Sequence, residues 1–313
     1  MSLFERRSLH VMSTMATVVR VEPSSPELRA TAARAAERRG VSAHEVFVRL
    51  LLQLPRDASA DAMIGARLVA EEADRLSAEM CEATSDYAAW QKPPGRSEIS
   101  PSDLEVDEVD ETTARLVLER FHYLRSFRLG SEHMGGVLRD ENDERLVALL
   151  TLSALDVPTI AERLPDGVAA TETMVLSRVF AFDWAPRNTL SFLMGRLTRV
   201  LRRRPTPPRL LITYVNPNVG FTGASYRAAN WVLWAREVGT RYAYFDGRYT
   251  TDRELARTFG TSDPAALREI VGDRIAFSRM TLQPLNLYAQ PLETDLRAAL
   301  STGEPIELPR PIP

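Results

Sequence analysis

The stretch that most constrains the fold covers residues 176–204 and reads LSRVFAFDWAPRNTLSFLMGRLTRVLRRR. It starts as an apolar run, passes through a polar turn with a proline, and continues as a helix whose apolar residues recur every three or four positions. The apolar positions of that helix are Leu190, Leu193, Met194, Leu197, Val200 and Leu201. A strand that leads into a helix with one apolar stripe predicts a helix packed on a sheet, and therefore an α/β domain.

The turn within this stretch has the chemistry of an anion-binding site. A helix start offers free backbone N–H groups and the positive end of the helix dipole. Side-chain donors are added there by Arg187, Asn188, Thr189 and Ser191. A pyrophosphate would suit this turn, but neither GxGxxG nor GxxxxGK[ST] is present. An ordinary capped helix that crosses between two strands is therefore the alternative interpretation.

Composition narrows the class of protein. The 313 residues are 44% hydrophobic and 26% charged, which predicts one large domain and a smaller one. Cys81 is the only cysteine, so an intramolecular disulfide and a cysteine-based metal site are excluded. Because the sequence has neither a signal-peptide pattern nor a run of 18 apolar residues, we expect a cytoplasmic protein without a membrane span.

Residues 1–92 are predicted to form a mainly helical N-terminal region. Within it, residues 16–54 read as a short β-branched strand and two helices, the second opened by a capping box from Ser42 to Glu45. This unit resembles a ribbon-helix-helix fold, which dimerises and lays paired strands into the DNA major groove. One face of the strand carries Arg20 and Glu22 beside Val18, a poor surface for reading bases. An appendage that only dimerises or packs is the alternative.

A linker at residues 93–103, rich in proline, glycine and serine, precedes a predicted α/β domain at residues 104–313. Strands are predicted at residues 104–109, 133–139, 145–152, 174–182, 209–215 and 231–237, and helices at residues 112–122, 189–203 and 223–230. Alternation of this kind predicts a mixed sheet flanked by helices.

The segment LLITYVNPNVGFTGASYRAANW, residues 210–231, adds a second strand and a short helix that carries Tyr226. Strand, anion-binding turn, helix, strand and short helix together resemble the GNAT acyltransferases. The resemblance implies that coenzyme A, as acetyl-CoA or a related acyl-CoA, lays its pyrophosphate on the turn. Its pantetheine arm would run between splayed strands along Val179 and Phe180, and Tyr226 would protonate the leaving thiolate.

Within that superfamily, four segments resemble the phage Mom family, which places a methylcarbamoyl-type group on adenine in DNA and so blocks restriction. The segments are FHYLRS, LSRVFAFDWAPRNTLSFLMGRL, YVNPNVGFTGASYRAANW and YFDGRYTTDRELARTFGTSDPAALREIVGDR, within about residues 112–291. The resemblance implies functional roles for Arg178, Ser191 and Tyr226. The family usually has an aspartate where this chain has Asn216, and an amide positions a substrate but is no base at neutral pH.

The FHYLRS segment places His122 and Tyr123 where a GNAT acceptor site would lie. The ordinary pKa of histidine suits a base, although a single histidine at a helix end commonly caps or packs. Tyr226 has a similar alternative as a core residue beside Trp231 and Trp234. An iron requirement suggested for the family is not favoured, because four histidines without close spacing make a poor ligand set even with Asp183.

The predicted partners are double-stranded DNA, a coenzyme A thioester and a second copy of the chain. An enzyme that acts on adenine in a duplex must flip the base and neutralise phosphates. Candidate phosphate contacts are Arg125, Arg128, Arg202, Arg203, Arg204 and Arg209, and candidate stacking residues are Tyr123, Phe127 and Phe221.

Two other functions stay open: a GNAT N-acetyltransferase or toxin acting on aminoacyl-tRNA, protein or a small amine, and a non-catalytic DNA-binding protein.

Overall fold

The computed structural model describes residues 26–37, 42–82, 90–93, 98–140, 143–239, 241–280, 282–301 and 303–308. The predicted N-terminal strand within residues 16–25 lies outside the described residues, and so does the predicted helix end at Gly40. The ribbon-helix-helix resemblance therefore stays a prediction.

The described part of the N-terminal region contains the helices α1 (Pro26–Ala36), α2 (Ala43–Leu51) and α3 (Ala60–Glu82). The side chain of Ser42 accepts a hydrogen bond from the Glu45 backbone N–H at 3.1 Å, so α2 begins where the capping box predicts. Both α1 and α2 pack against α3. A helical N-terminal region is thereby confirmed.

The strands that follow are β1 (Leu104–Glu108), β2 (Glu132–Asp140), β3 (Asp143–Ala154), β4 (Thr173–Ala181), β5 (Leu210–Val215), β6 (Val232–Glu237), β7 (Ala243–Phe245), β8 (Arg248–Thr250), β9 (Ile275–Phe277), β10 (Leu285–Pro291) and β11 (Ile306–Leu308). The helices are α4 (Glu111–Arg120), α5 (Pro158–Ala161), α6 (Thr189–Arg202), α7 (Ala224–Ala228), α8 (Asp252–Phe259), α9 (Pro264–Val271) and α10 (Thr294–Ser301). Eight strands form one sheet in the order β1-β2-β3-β4-β5-β10-β6-β11, and β8-β7-β9 form a second. In the large sheet, β4 and β5 are parallel, as are β6 and β11, which confirms a mixed sheet flanked by helices.

Helix α6 covers the large sheet as its apolar stripe predicts. Leu193, Met194, Leu197 and Leu201 are buried against strand residues that include Leu150. Val200 was predicted to belong to this stripe, and that is wrong, because its side chain is 39% exposed. It lies at the edge of the stripe, where the helix surface already turns toward solvent.

The two central strands separate after a short parallel ladder. β4 pairs with β5 only from Thr173 to Val175, although both strands continue beyond these pairs. The β3–β4 register shifts so that Ser177 is an extra residue in β4. Because such a bulge bends its strand and increases the local twist, β4 turns away from β5 and leaves a gap in the middle of the sheet.

The N-terminal helices and the three-stranded sheet share one hydrophobic core. The apolar face of α2, with Val46, Leu50 and Leu51, is buried in the same cluster as Tyr242 and Tyr244. The Tyr244 hydroxyl donates a hydrogen bond to the Glu45 carbonyl at 2.6 Å. The predicted division into two domains and the predicted homodimer stay predictions, but the apolar face of α2 is already covered by its own chain.

Within the described ranges, no helix is long and apolar enough to span a membrane.

Candidate active site

A cavity of about 290 Å³ occupies the gap between β4 and β5. Its walls come from β4, β5, the start of α6, the turn after α4, and the loop that leads into α7. Five of the predicted site residues line it: His122, Tyr123, Arg178, Val179 and Tyr226. The topology thus brings together side chains that are up to about a hundred positions apart in the sequence.

Tyr226 lies in α7 with its hydroxyl 3.4 Å from the Thr213 hydroxyl oxygen. The Thr213 hydroxyl is directed at two acceptors, the Leu176 carbonyl at 2.8 Å and the Tyr226 oxygen. The Tyr226 hydroxyl itself donates to no group among the described residues, so its proton remains available. Burial raises the pKa of Tyr226, which keeps the phenol protonated at neutral pH. Its ring packs edge-on against Trp231 and stacks on Tyr288. The residue therefore has both a packed ring and an available hydroxyl proton.

Arg178 is the one charged side chain among the described residues that line the cavity. Its guanidinium donates to the Ser177 carbonyl at 2.7 Å and to the Ser126 hydroxyl at 3.0 Å. The buried Nε has no hydrogen-bond partner, and no carboxylate of the described residues forms an ion pair with Arg178. Burial lowers the pKa of Arg178, but a guanidinium remains charged at neutral pH. The cavity therefore presents an uncompensated positive charge.

His122 and Tyr123 close the cavity at the end of α4. Burial, together with the positive charges of Arg178 and Arg125, lowers the pKa of His122 to about 3. The Nδ1 atom of His122 accepts a hydrogen bond from the Leu124 N–H at 3.2 Å, so the neutral ring carries its proton on Nε2. Burial raises the pKa of Tyr123 to about 12. His122 is thus a neutral hydrogen-bond donor, unlike the base that its ordinary pKa predicts.

The start of α6 has free hydrogen-bond donors, but the predicted hydroxyl donors of Thr189 and Ser191 are not among them. Thr189 donates its hydroxyl proton to the Pro186 carbonyl, and Ser191 donates its own to the Asn188 carbonyl. Asn188 is left-handed at φ 67° and makes no capping bond with its side chain. The backbone N–H groups of Leu190 and Ser191 have no acceptor in the described part of the chain. An anion would therefore meet backbone donors, with the exposed Arg187 and Asn188 side chains beside them.

Phe180 and Asn216 lie outside the residues that line the cavity. The ring of Phe180 packs with Phe121 and Phe182 at centroid distances of 6.3 and 4.8 Å. The Asn216 amide donates to the Tyr242 hydroxyl, and its oxygen accepts from the Asn218 backbone and side chain, both at 3.0 Å. Asn216 thus organises the turn that ends β5.

Comparison with known proteins identifies the family. The profile of the Mom protein family matches residues 103–300, which is more than half of the chain. The chain belongs to the Mom protein family. This membership confirms the resemblance that the four sequence segments carry.

Two solved structures are similar to this chain at low identity. RimL, a ribosomal L7/L12 alpha-N-protein acetyltransferase in its apo form, is 13% identical with a TM-score of 0.34, over 63% of this chain and 98% of that chain. Arabidopsis thaliana NAA60 in complex with a bisubstrate analogue is 9% identical with a TM-score of 0.35, over 61% and 99%. Likeness at this level carries no argument about activity. No curated protein matches the chain.

Further residues of this Mom family member line the cavity without having been predicted from the sequence. Thr213 is the one that the sequence could have indicated, because it is a polar residue within the apolar strand LLITYV. Leu190 and Met194 were predicted only as core residues of α6. Phe221, predicted as a stacking candidate, lines the cavity and is 45% exposed, so it marks the mouth.

Most of the predicted phosphate-binding arginines are ion-paired. Arg125 pairs with Asp74, Arg128 with Asp156, Arg204 with Glu132 and Arg209 with Glu293. Arg202 donates to the Leu292 carbonyl at 2.9 Å. Arg199 on α6 and Arg203 directly after it are exposed, and neither forms an ion pair with another described residue. In the part of the chain that the structure describes, no group of three or more His, Cys, Asp or Glu side chains is arranged to hold a metal ion.

Proposed function

We propose that this member of the Mom family is a GNAT-type acyltransferase that transfers a small acyl or carbamoyl-type group from a coenzyme A thioester to the exocyclic amino group of adenine in double-stranded DNA, which would protect the DNA from restriction. The observation that carries the proposal is the cavity between β4 and β5, where the hydroxyl of Tyr226 and the charge of Arg178 meet. Leu190, at the start of α6 where two backbone N–H groups are free, also lines this cavity.

The donor side of the cavity fits coenzyme A. The two free N–H groups at the start of α6 suit a pyrophosphate, and Arg187 adds a positive charge. Beyond Val175, β4 has no backbone partner in β5. The Leu176 and Ser177 carbonyls accept from Thr213 and Arg178, and the later peptide groups on this edge are open to the amides of a pantetheine arm. When bound, a coenzyme A thioester supplies an activated carbonyl carbon.

Tyr226 is the proposed proton donor at the leaving thiolate. The new bond forms between the amino nitrogen and the carbonyl carbon, and the bond from that carbon to sulfur breaks. The thiolate takes the proton of the Tyr226 hydroxyl, which donates to no other group among the described residues. The acylated nitrogen gives up one of its two protons, which returns Tyr226 to its protonated form. His122 and Arg178 line the same cavity. Each could donate a hydrogen bond to an oxygen or nitrogen atom of the acceptor substrate, or to the carbonyl oxygen of the thioester.

The charge of the cavity favours adenine over an aliphatic amine as acceptor. An alkylamine such as a lysine side chain is protonated at neutral pH, and must lose a proton before it can attack. None of the described residues that line the cavity is acidic, and His122, with a pKa of about 3, is a poor base. Arg178 would also repel an ammonium group. The amino group of adenine is neutral and needs no such deprotonation.

The deciding experiment measures nucleosides by mass spectrometry in DNA from cells that express the protein. We expect a modified adenine with the wild type, a strong loss with Tyr226→Phe, and retention with Tyr288→Phe. Tyr288 is the matched control, because its ring stacks on Tyr226 at 5.8 Å but does not line the cavity. An unmodified adenine pool from abundant, folded wild type would refute the proposal. Acetylation of an aliphatic amine by the purified protein would favour the N-acetyltransferase alternative.

A further inference from the structure

We infer that the N-terminal helices complete the acceptor side of the active site, because α2 and α3 hold the two segments that frame the mouth of the cavity. These segments are the turn at residues 122–125 and the loop at residues 220–223. The inference rests on the proposed function for the identity of the acceptor and for the side of the cavity that receives it. The family match begins at residue 103, so the supporting contacts come from outside the matched part of the chain.

The first contact is an ion pair between α3 and the turn after α4. Asp74 accepts from the Arg125 guanidinium at 3.1 Å, and both side chains are about two-thirds covered. The backbone of Arg125 is left-handed at φ 47°, a conformation that costs a non-glycine residue free energy and must be held by its surroundings. The Arg125 N–H donates to the His122 carbonyl at 2.8 Å, so holding this turn also orients His122.

The second contact places α2 behind Tyr123. His44 is buried, and its ring meets the Tyr123 ring edge-on at 5.8 Å. The same ring meets Tyr249 at 4.7 Å and Tyr242 at 5.3 Å. Tyr242 accepts from Asn216 at the end of β5. His44 therefore joins the N-terminal helices to a wall of the cavity and to the turn after β5.

The third contact supports the loop that carries the exposed aromatic residue at the mouth. The backbone of Gly220 is left-handed at φ 87°, and a Cβ built there would lie 2.5 Å from a guanidinium nitrogen of Arg67. Arg67 thus lies directly against the loop. The next residue, Phe221, packs edge-on against Tyr123 at 5.0 Å. The two framing segments therefore touch each other, and α3 holds both.

All three contacts reach residues on the acceptor side, whereas the free edge of β4 and the start of α6 are built within residues 104–313. Loosening the N-terminal contacts should therefore weaken binding of the acceptor and leave binding of coenzyme A unchanged. Asp74, Arg67 and His44 are positioning residues in this scheme, because none of them lines the cavity.

The test compares Asp74→Asn with Asp246→Asn in the full chain. Asp246 is a matched control, because it forms an ion pair, with Arg274 at 2.8 Å, in which one partner has a left-handed backbone, here Asp246 itself at φ 48°. It does not line the cavity. In Asp74→Asn we expect the backbone amides of residues 124 and 125 to exchange with deuterium about threefold faster or more, as loss of such a pair allows. The control should leave both exchange rates unchanged.

Two binding measurements complete the test. Calorimetry with coenzyme A should give the same affinity for both variants and the wild type. Anisotropy with a short labelled duplex that contains adenine should show weaker binding for Asp74→Asn alone. The charge-swapped variant, Asp74→Arg with Arg125→Asp, should restore both the slow exchange and the duplex affinity.

Equal exchange and equal duplex affinity in Asp74→Asn and the control would overturn the inference. A parallel loss of duplex and coenzyme A binding would overturn it too, because it would indicate general loosening of the fold. If the wild type binds no duplex, the proposed acceptor is wrong. The exchange measurement still decides whether α3 holds the turn.

Discussion

Replacing His44 with phenylalanine should make the protein more resistant to acid. Burial lowers the pKa of His44 to about 4, and neither ring nitrogen has a hydrogen-bond partner among the described residues. The folded state therefore favours the neutral ring, while the unfolded chain takes up a proton below about pH 6.5. The stability that this histidine contributes is present above that pH and is lost as the pH falls toward 4.

The size of the effect follows from the gap between the two pKa values. One pH unit within the gap changes the free energy of unfolding by about 1.4 kcal/mol per histidine, so a fall from about pH 6.5 to about pH 5 costs about 2 kcal/mol. His122, with a pKa of about 3, adds a similar loss in both proteins. His44 is the smallest of the causes that lower the pKa of His122, so the greater part of this loss cancels in the comparison. The shared carboxylates cancel in the same way.

Urea unfolding at about pH 7.5 and about pH 5 measures this difference directly. The advantage of His44→Phe over the wild type should grow by about 2 kcal/mol between the two conditions. Any cost of the larger ring in the tyrosine cluster appears equally at both pH values and does not affect the result. An advantage that changes by less than about 0.5 kcal/mol would refute the reasoning, because a buried neutral histidine must produce the slope.

Three further predictions concern the cavity and its surroundings. Tyr226→Phe should lower the modified-adenine fraction by about 100-fold or more and change the free energy of unfolding by no more than about 1.5 kcal/mol, whereas normal modification would end the catalytic assignment. Acetyl-CoA should raise the melting temperature of the wild type more than that of Arg187→Glu, and equal shifts would remove coenzyme A from the turn before α6. Gly220→Ala should cost about 1–2 kcal/mol in urea unfolding, and less in an Arg67→Ala background, where the guanidinium no longer meets the new methyl group. Equal costs in the two backgrounds would show that Arg67 does not crowd the loop.

The elements around the cavity could be predicted because each buries one face. The stripe of α6 and the apolar runs of β4 and β5 are periodic, and the described elements lie close to the predicted ones. The three-residue strands β7, β8 and β9 are too short to show a period, and the sequence analysis did not find them. Val200 was misassigned because an edge position has the same spacing as a core position.

The chemistry of the site was harder to predict, because it depends on contacts between distant residues. Nothing near His122 in the sequence indicates that its ring is buried beside Arg178 and His44. Burial first, and these neighbours second, lower its pKa from that of a base to about 3. The hydroxyls of Thr189 and Ser191 looked available for an anion, yet local carbonyls take their protons. The acceptor that a serine or threonine hydroxyl reaches depends on the local backbone geometry, and residue types alone do not reveal that geometry.

The short ladder between β4 and β5 also affects how this protein tolerates mutation. From Leu176 onward, β4 has no backbone partner in β5, so its edge along the gap presents N–H and C=O groups that are the same whatever side chain they carry. Ordinary substitutions along this edge can reshape the gap but cannot delete its hydrogen-bonding groups. Only proline removes a backbone donor, so Val179→Pro is a single change that deletes one N–H group from this edge. The gap between β4 and β5 can therefore keep its hydrogen-bonding groups while the side chains along this edge diverge.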